Sequence, residues 1–357
     1  MSTDEIDDCW AQQPNVQATP SEPSLQVQTL EYITPLGDQF GVAAPKIVPD
    51  ALHDFLFGQP EPTEAELAEA GGDPAKVPSL RTYAILDAAK VTNLPEMLDA
   101  SGLEHRCLFK GDAYDELKNV APWIVRLEEG STFTRNLFTR SDAPWHIWDA
   151  EPGIYLRSHD TLDDVRKHFR KFTRVQDEAG AWFYLRLYDP YIMQAFLQGA
   201  PEFADRILSR PFPWDDLTVV TCFADRVKTF RAAQKRSKEQ RMIRLGSDEK
   251  AVLRHLTFEA RADQLMVKLD KSSGVAMPTE PEVREAHKAT IVGALHKMYG
   301  YGFQQPMQQD RWAIWEIFYS AGFERADPYL RQICDTKDRP SGERFALFKR
   351  RVEEIYG

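Results

Sequence analysis

The chain has few cysteines and none of the short patterns by which catalytic or nucleotide-binding chemistry is usually recognised. Cys9, Cys107, Cys222 and Cys334 stand far apart in 357 residues, with no CxxC pair and no histidine at metal-ligand spacing. That excludes a disulfide framework and the common zinc modules, and it suits thiols kept reduced in a cytosol. No GxGxxG or GxxxxGK[ST] occurs, so the familiar phosphate cradles are excluded. GxSxG and HExxH are also missing, which removes the nucleophile elbow and the commonest metalloprotease helix. No apolar run approaches the roughly twenty residues of a membrane helix, and MSTDEIDD is the reverse of a basic signal-peptide start. The expectation is a cytoplasmic protein with no membrane insertion, no metal and no cofactor.

What remains is enough apolar material for real cores, 43% of the residues, and a charge that is unevenly spread. The net charge is −11, yet residues 1–76 hold 14 acidic side chains against only Lys46 and Lys76. The body is close to neutral, so global charge gives no argument for nucleic-acid binding.

Three parts follow from the patterning. Residues 1–77 read as an acidic, largely irregular segment and linker, rich in Pro, Gln, Ser and Thr. Within it, LQVQTLEYITPLG (25–37) alternates apolar and polar residues and is the one candidate strand or docking segment. Residues 78–225 alternate strand-like and helix-like runs, with TYAILDA, HRCLF, PWIVRLE, GIYLRS, FYLRLY and LTVVTCF as strands. Residues 226–357 read as mostly helical, opening with a basic connector over 226–244. The fold class expected is α+β, with an N-terminal α/β lobe built on a mixed sheet and a helical C-terminal lobe.

The most informative stretch is WFYLRLYDP, residues 182–190. Trp182 to Tyr188 read as a largely buried strand interrupted by one cation, Arg186. Asp189 and Pro190 stop it, because proline cannot extend a ladder and disfavours helix in the residue before it. A charge in so apolar a strand needs a partner. An internal Arg186–Asp189 ion pair is the plainer account, and a partner-binding role is the alternative. Just upstream, Thr161 and Asp164 form a variant capping box that opens a helix. Leu162, Val165, Phe169 and Phe172 lie on one face, and Arg166, Lys167, Arg170 and Lys171 lie elsewhere.

Asp87 ends the first strand of this lobe, where an α/β enzyme often places a catalytic acid. With His105, His159 and Asp160 it would compose an acid/base site; the plainer reading makes Asp87 an end-of-strand hydrogen-bond acceptor. Trp145 and Trp148 flank His146, an arrangement that is packed in most proteins and an interface anchor where a tryptophan is exposed. RVKTFRAAQKRSKEQRMIR (226–244) holds eight Lys/Arg, Arg236 and Arg241 among them, against one Glu. It is a candidate patch for an acidic partner or a nucleic acid, but a lone Phe230 gives base stacking little support. Beyond it, 280–303, 309–322 and 343–356 carry helical spacing, with Trp312, Trp315, Ile317 and Phe318 crowded together and Gly322 as a C-cap.

Several stretches together resemble one bacterial domain family. LRTYAILDAA (80–89) is similar to its opening strand, and HRCLFKGDAYDELKNVAPWIVRLE (105–128) to its next conserved block. YLRSHDTLDDVRKHFRKFTRVQDEAGAWFYLRLYDP (155–190) resembles its central Arg-x-x-Asp-Pro element with the preceding helix, and RPFPW (210–214) the segment after it. A softer similarity runs through HLTFEARADQL (255–265) to the C-terminus. The studied members of that family are effector adaptor/chaperones of type VI secretion, the Tap/TEC proteins. The resemblance implies a cytosolic, non-catalytic adaptor that binds a toxic effector, by its N-terminal or linker segment, and helps mount it on the spike protein. It carries over Tyr83, Leu86 and Asp87 in the first strand, and Arg186, Tyr188, Asp189 and Pro190 in the central element. The alternatives from the residues are an α/β enzyme using Asp87 and His105, or a nucleic-acid binder using 226–244. The long acidic head departs from the family pattern.

Overall fold

The computed structural model describes residues 25–209, 217–232, 244–271 and 279–356. They fall into two compact units, Met1–Arg244 and Leu245–Gly357.

The first unit is built on strands β1 (Leu25–Leu30), β2 (Arg81–Asp87), β3 (His105–Cys107), β4 (Pro122–Leu127), β5 (Gly153–Ser158), β6 (Arg174–Asp177), β7 (Trp182–Tyr184), β8 (Thr218–Phe223) and β9 (Arg226–Ala232). Its helices are α1 (Asp50–Phe57), α2 (Glu64–Glu69), α3 (Leu94–Ser101), α4 (Asp112–Leu117), α5 (Thr132–Leu137), α6 (Leu162–Phe169), α7 (Pro190–Gly199) and α8 (Pro201–Leu208). Seven strands form one sheet in the order β1-β9-β8-β5-β2-β4-β3. Every pairing in it is antiparallel. The α/β lobe stands, but the mixed sheet expected from alternating strands and helices does not. The helix-bearing path from β2 to β3 skips one place, and β4 returns between them, so parallel strands never become neighbours.

β2 is central and buried almost throughout, as a continuous apolar run requires. Ala84 lies between Val125 of β4 and Tyr155 of β5. At Gly153, opposite Leu86, an added Cβ would stand 2.0 Å from the Ile85 carbonyl oxygen. Only glycine lets β5 approach β2 that closely.

Two sequence boundaries move. Residues 25–77 are not an irregular appendage: β1 forms the sheet edge in register with β9, from Leu25↔Ala232 to Leu30↔Val227. Leu52 and Leu56 of α1 are fully buried in the sheet's core. The two-leucine face of α1 outweighs the acidic composition around it, whereas β1 stays largely exposed and is held by its pairing with β9. Likewise, 226–232 is a strand of the sheet rather than the start of a basic connector at the head of the helical lobe. Val227 and Phe230 bury, while Arg226, Lys228 and Arg231 remain at least partly accessible, so the cations decorate a strand of the sheet.

The second unit consists of α9 (Ser247–Lys271), α10 (Pro281–Gly300), α11 (Pro306–Tyr319), α12 (Pro328–Asp335) and α13 (Ser341–Tyr356). Trp312 is fully buried and stacks on Phe348 with ring centroids 4.2 Å apart. The aromatic stripe is therefore core, with Phe318 on the outside. Ser320, not Gly322, closes α11, at a positive φ of 79°. A buried charge cluster lies in this unit: Lys297 pairs with Glu316 and, at 3.3 Å, with Glu324, both carboxylates being buried.

Candidate interaction surface

Of the residues singled out in the sequence, the carboxyl end of β2 gathers Asp87, Arg186, Tyr188, Asp189 and Pro190. Asp87 is 0% exposed. Its Oδ1 accepts from the Ala89 backbone at 2.9 Å, and its Oδ2 pairs with the Arg186 guanidinium. The internal pair anticipated between Arg186 and Asp189 is thus corrected. Arg186 reaches back 99 residues to Asp87, while Asp189 turns to Lys90, 2.8 Å away. Lys90 also donates to the Glu151 carbonyl at 3.1 Å. Asp189 caps α7 as well. Its Oδ1 accepts from the Tyr191 and Ile192 backbones at 3.0 and 3.2 Å, with Pro190 at the first helical position. The same Asp-Pro device opens α12 at Asp327 and Pro328. Burial first, and the Asp87 charge second, push the Tyr188 hydroxyl up to about 12, so it stays protonated beside this pair.

The strand expected over 182–188 ends at Tyr184. Leu185 and Leu187 bury, but Arg186 keeps 47% of its side chain accessible. β7 itself is not buried: Trp182 is 52% and Tyr184 68% exposed. The run is aromatic because of what it presents, not what it hides. β7 pairs antiparallel with β6 through Arg174↔Tyr184 and Gln176↔Trp182, and lies at the edge of its sheet. The Arg174 guanidinium sits 4.2 Å from the Trp182 ring centre and 5.8 Å from that of Tyr184.

The remaining candidates separate. Tyr83 is fully buried in mid-β2 and donates to the Asp160 carbonyl at 2.6 Å, a fold contact. Trp148 is buried, its Nε1 donating to Asp225 at 2.9 Å, whereas Trp145 is 54% exposed. His146 is half-buried, with Ser141 Oγ 2.6 Å from its Nδ1. Arg236 and Arg241 lie outside the described residues. His105, on β3, contacts Asp99 at 3.1 Å and the Leu103 carbonyl at 2.8 Å. The structure does not join it to Asp87, which is held by Arg186 and Ala89. Asp87 behaves as the end-of-strand acceptor of the plainer reading.

A cavity of about 220 Å³, which no motif announces, opens beside Trp148, Glu151, Tyr155, Cys222 and Asp225. Its rim is the two-residue turn Ala224–Asp225 between β8 and β9, both residues left-handed at φ 51° and 57°, and Glu151 is left-handed too, at φ 45°. The turn is fastened by Glu151, whose Oε1 accepts from the Ala224 backbone at 3.0 Å. Arg140 and Trp148 both donate to Asp225. Those two bonds, Trp148's foremost, hold the Asp225 carboxyl below its usual range. The hairpin signal is weak in the sequence because neither residue is the Gly or Asn that such turns favour.

The site thus lies on an antiparallel sheet flanked by helices, tied at one strand end by a buried carboxylate and fringed by an exposed aromatic hairpin. Residues 82–203, about a third of the chain, match the family model described as a domain of unknown function, DUF4123. The match runs from β2 into α8 and includes the Asp87–Arg186 tie, Lys90 and Asp189. Neither the curated proteins nor the solved structures yield a match. No helix among the described residues is long and apolar enough to cross a membrane.

Proposed function

We propose that this chain is a non-catalytic adaptor that binds a type VI secretion effector toxin in the cytoplasm and assists its loading onto the spike protein. The observation that carries this reading is the family match over 82–203, in the same region where the sequence resembles the effector adaptors. Three features support it. Asp87, the best-placed catalytic acid in the sequence, is spent on a buried ion pair. The motif residues have structural work in this chain: Asp189 and Pro190 shape the entry to α7, and Arg186 ties to Asp87. Exposed Trp145, Trp182 and Tyr184 supply the residue types that dominate protein interfaces. Deleting the gene in its host tests the reading. Export of one toxin should stop while that of unrelated effectors continues, and restoring the chain should restore it. Undiminished export of every effector would refute the proposal.

A further inference from the structure

The β6–β7 hairpin has the makings of a strand-accepting edge. Leu185 donates its backbone N–H to Thr173 at 3.1 Å, and Asp177 to Ala181 at 3.0 Å. In an antiparallel ladder the residues that bond the partner strand alternate with residues whose main-chain groups point away from it. Positions 181, 183 and 185 therefore face β6. The N–H and C=O groups of Trp182 and Tyr184 face outward, at the edge of the sheet. Those same two residues carry the exposed rings, on the face where Arg174 lies against both. Among the described residues, one short edge thus offers main chain with no strand partner, two aromatic platforms and a cation held between them.

Charge selects the occupant. From Arg166 to Gln176 the chain carries Arg166, Lys167, Arg170, Lys171 and Arg174 and no acidic residue. Lys167, Lys171 and Arg174 are exposed, and Arg166 and Arg170 are partly so. Asp177 and Glu178 lie at the far end of the hairpin, past the last paired residue of β6 that faces Trp182. Arg174 at the edge itself, preceded in the chain by further cations, of which Arg166 is turned to the Cys107 carbonyl, favours an extended segment bearing carboxylates, which would add to β7 by main-chain hydrogen bonds. Its alternate side chains would meet Trp182, Arg174 and Tyr184, charge-assisted at the guanidinium. We infer that β7 accepts an extended, acidic strand of a partner protein, by β-addition along Trp182 and Tyr184. This deepens the adaptor reading, on which it rests for the identity of the partner, by assigning where and by what chemistry the client is held.

The test uses the full chain and two acetylated heptapeptides, one alternating glutamate with valine and the other alternating lysine with valine. The acidic peptide should bind at least ten-fold more tightly. It should slow amide exchange at Trp182 and Tyr184 more than elsewhere, and weaken as salt is raised. Arg174→Glu should abolish or reverse the preference. Tyr184→Pro removes an outward-facing donor together with an exposed ring and should lower affinity more than Tyr184→Ala, which removes the ring alone, while β6–β7 pairing persists. Equal binding of both peptides, no binding of either, protection mapped to another surface, or a preference unchanged in Arg174→Glu would each overturn the inference. So would a homodimer in solution with β7 buried in it. The adaptor reading is tested separately, by client recovery from the host. A client captured equally well by wild type and by the Trp182→Ala, Arg174→Glu double variant leaves the adaptor standing and removes the β7 site. An empty eluate from wild type removes the adaptor and leaves the peptide result intact.

Discussion

The Asp87–Arg186 pair makes an asymmetric prediction about stability. The two partners differ in what each leaves behind. Arg186→Ala strands a carboxylate that is 0% exposed and retains only the Ala89 backbone donor. Breaking a buried pair in that way costs about 3 kcal/mol, the lower end of the usual range because water reaches the Arg186 side of the site. Asp87→Asn leaves a guanidinium that is already 47% exposed and keeps an oxygen for the Ala89 N–H. Its cost should be nearer to about 1 kcal/mol. Because the chain has two units, a global melt mixes their transitions. Native-state exchange of the β2 amides reads the first unit alone. Those amides should exchange about 100-fold faster in Arg186→Ala, and less than about ten-fold faster in Asp87→Asn. Equal effects, or the reverse order, would refute the assignment of Asp87 as the buried member.

Gly153→Ala should cost at least about 3 kcal/mol or prevent the first unit from folding, read by the same amides, since the new methyl collides with the Ile85 carbonyl. Lys297→Met leaves buried Glu316 with the Trp312 N–H and Glu324 with the Tyr301 hydroxyl and Arg325 at 4.0 Å, and should destabilise the helical unit by about 3 kcal/mol in urea titration, with Lys297→Arg far milder. Burial first, then the His255 ring 3.0 Å away and Arg254, lower the proton affinity of His296 in the folded state. The unfolded chain consequently binds more protons just below pH 6.5, so the helical unit loses stability as pH falls through that value toward the depressed one, and not above it. Exchange of α10 amides at pH 7.5 and 5.5 checks this, and His296→Gln should flatten the difference. Removing residues 1–76 takes away β1 and the Leu52 and Leu56 side chains, so the truncated chain should fail to fold rather than merely bind differently, as circular dichroism would show.

Local signals made much of this molecule legible in its sequence. The unbroken apolar run of β2, the Thr161 cap of α6 and the Asp189-Pro190 entry to α7 each depend on residues within one turn or strand. Long-range facts were not legible. Arg186 had a carboxylate three residues away and chose one 99 away, because the end of β2 folds against it and Asp189 is needed as a cap. β9 was obscured by its cations, although Val227, Thr229 and Phe230 carried a usable, if broken, inward pattern. The antiparallel order was hidden because β4 inserts between β2 and β3, a choice no single segment encodes. At the candidate surface, hydrophobicity misled. Trp182, Phe183 and Tyr184 look like core by composition, and only the register with β6 places two of them at an open edge.

The measurement that bears most directly on the adaptor assignment is affinity capture of the tagged full chain from its native host at moderate salt, with mass spectrometry of the eluate. The account predicts recovery of one toxin-like protein in stoichiometric amount, with or without a spike protein. An empty eluate, obtained while the host's secretion genes are expressed, would contradict it.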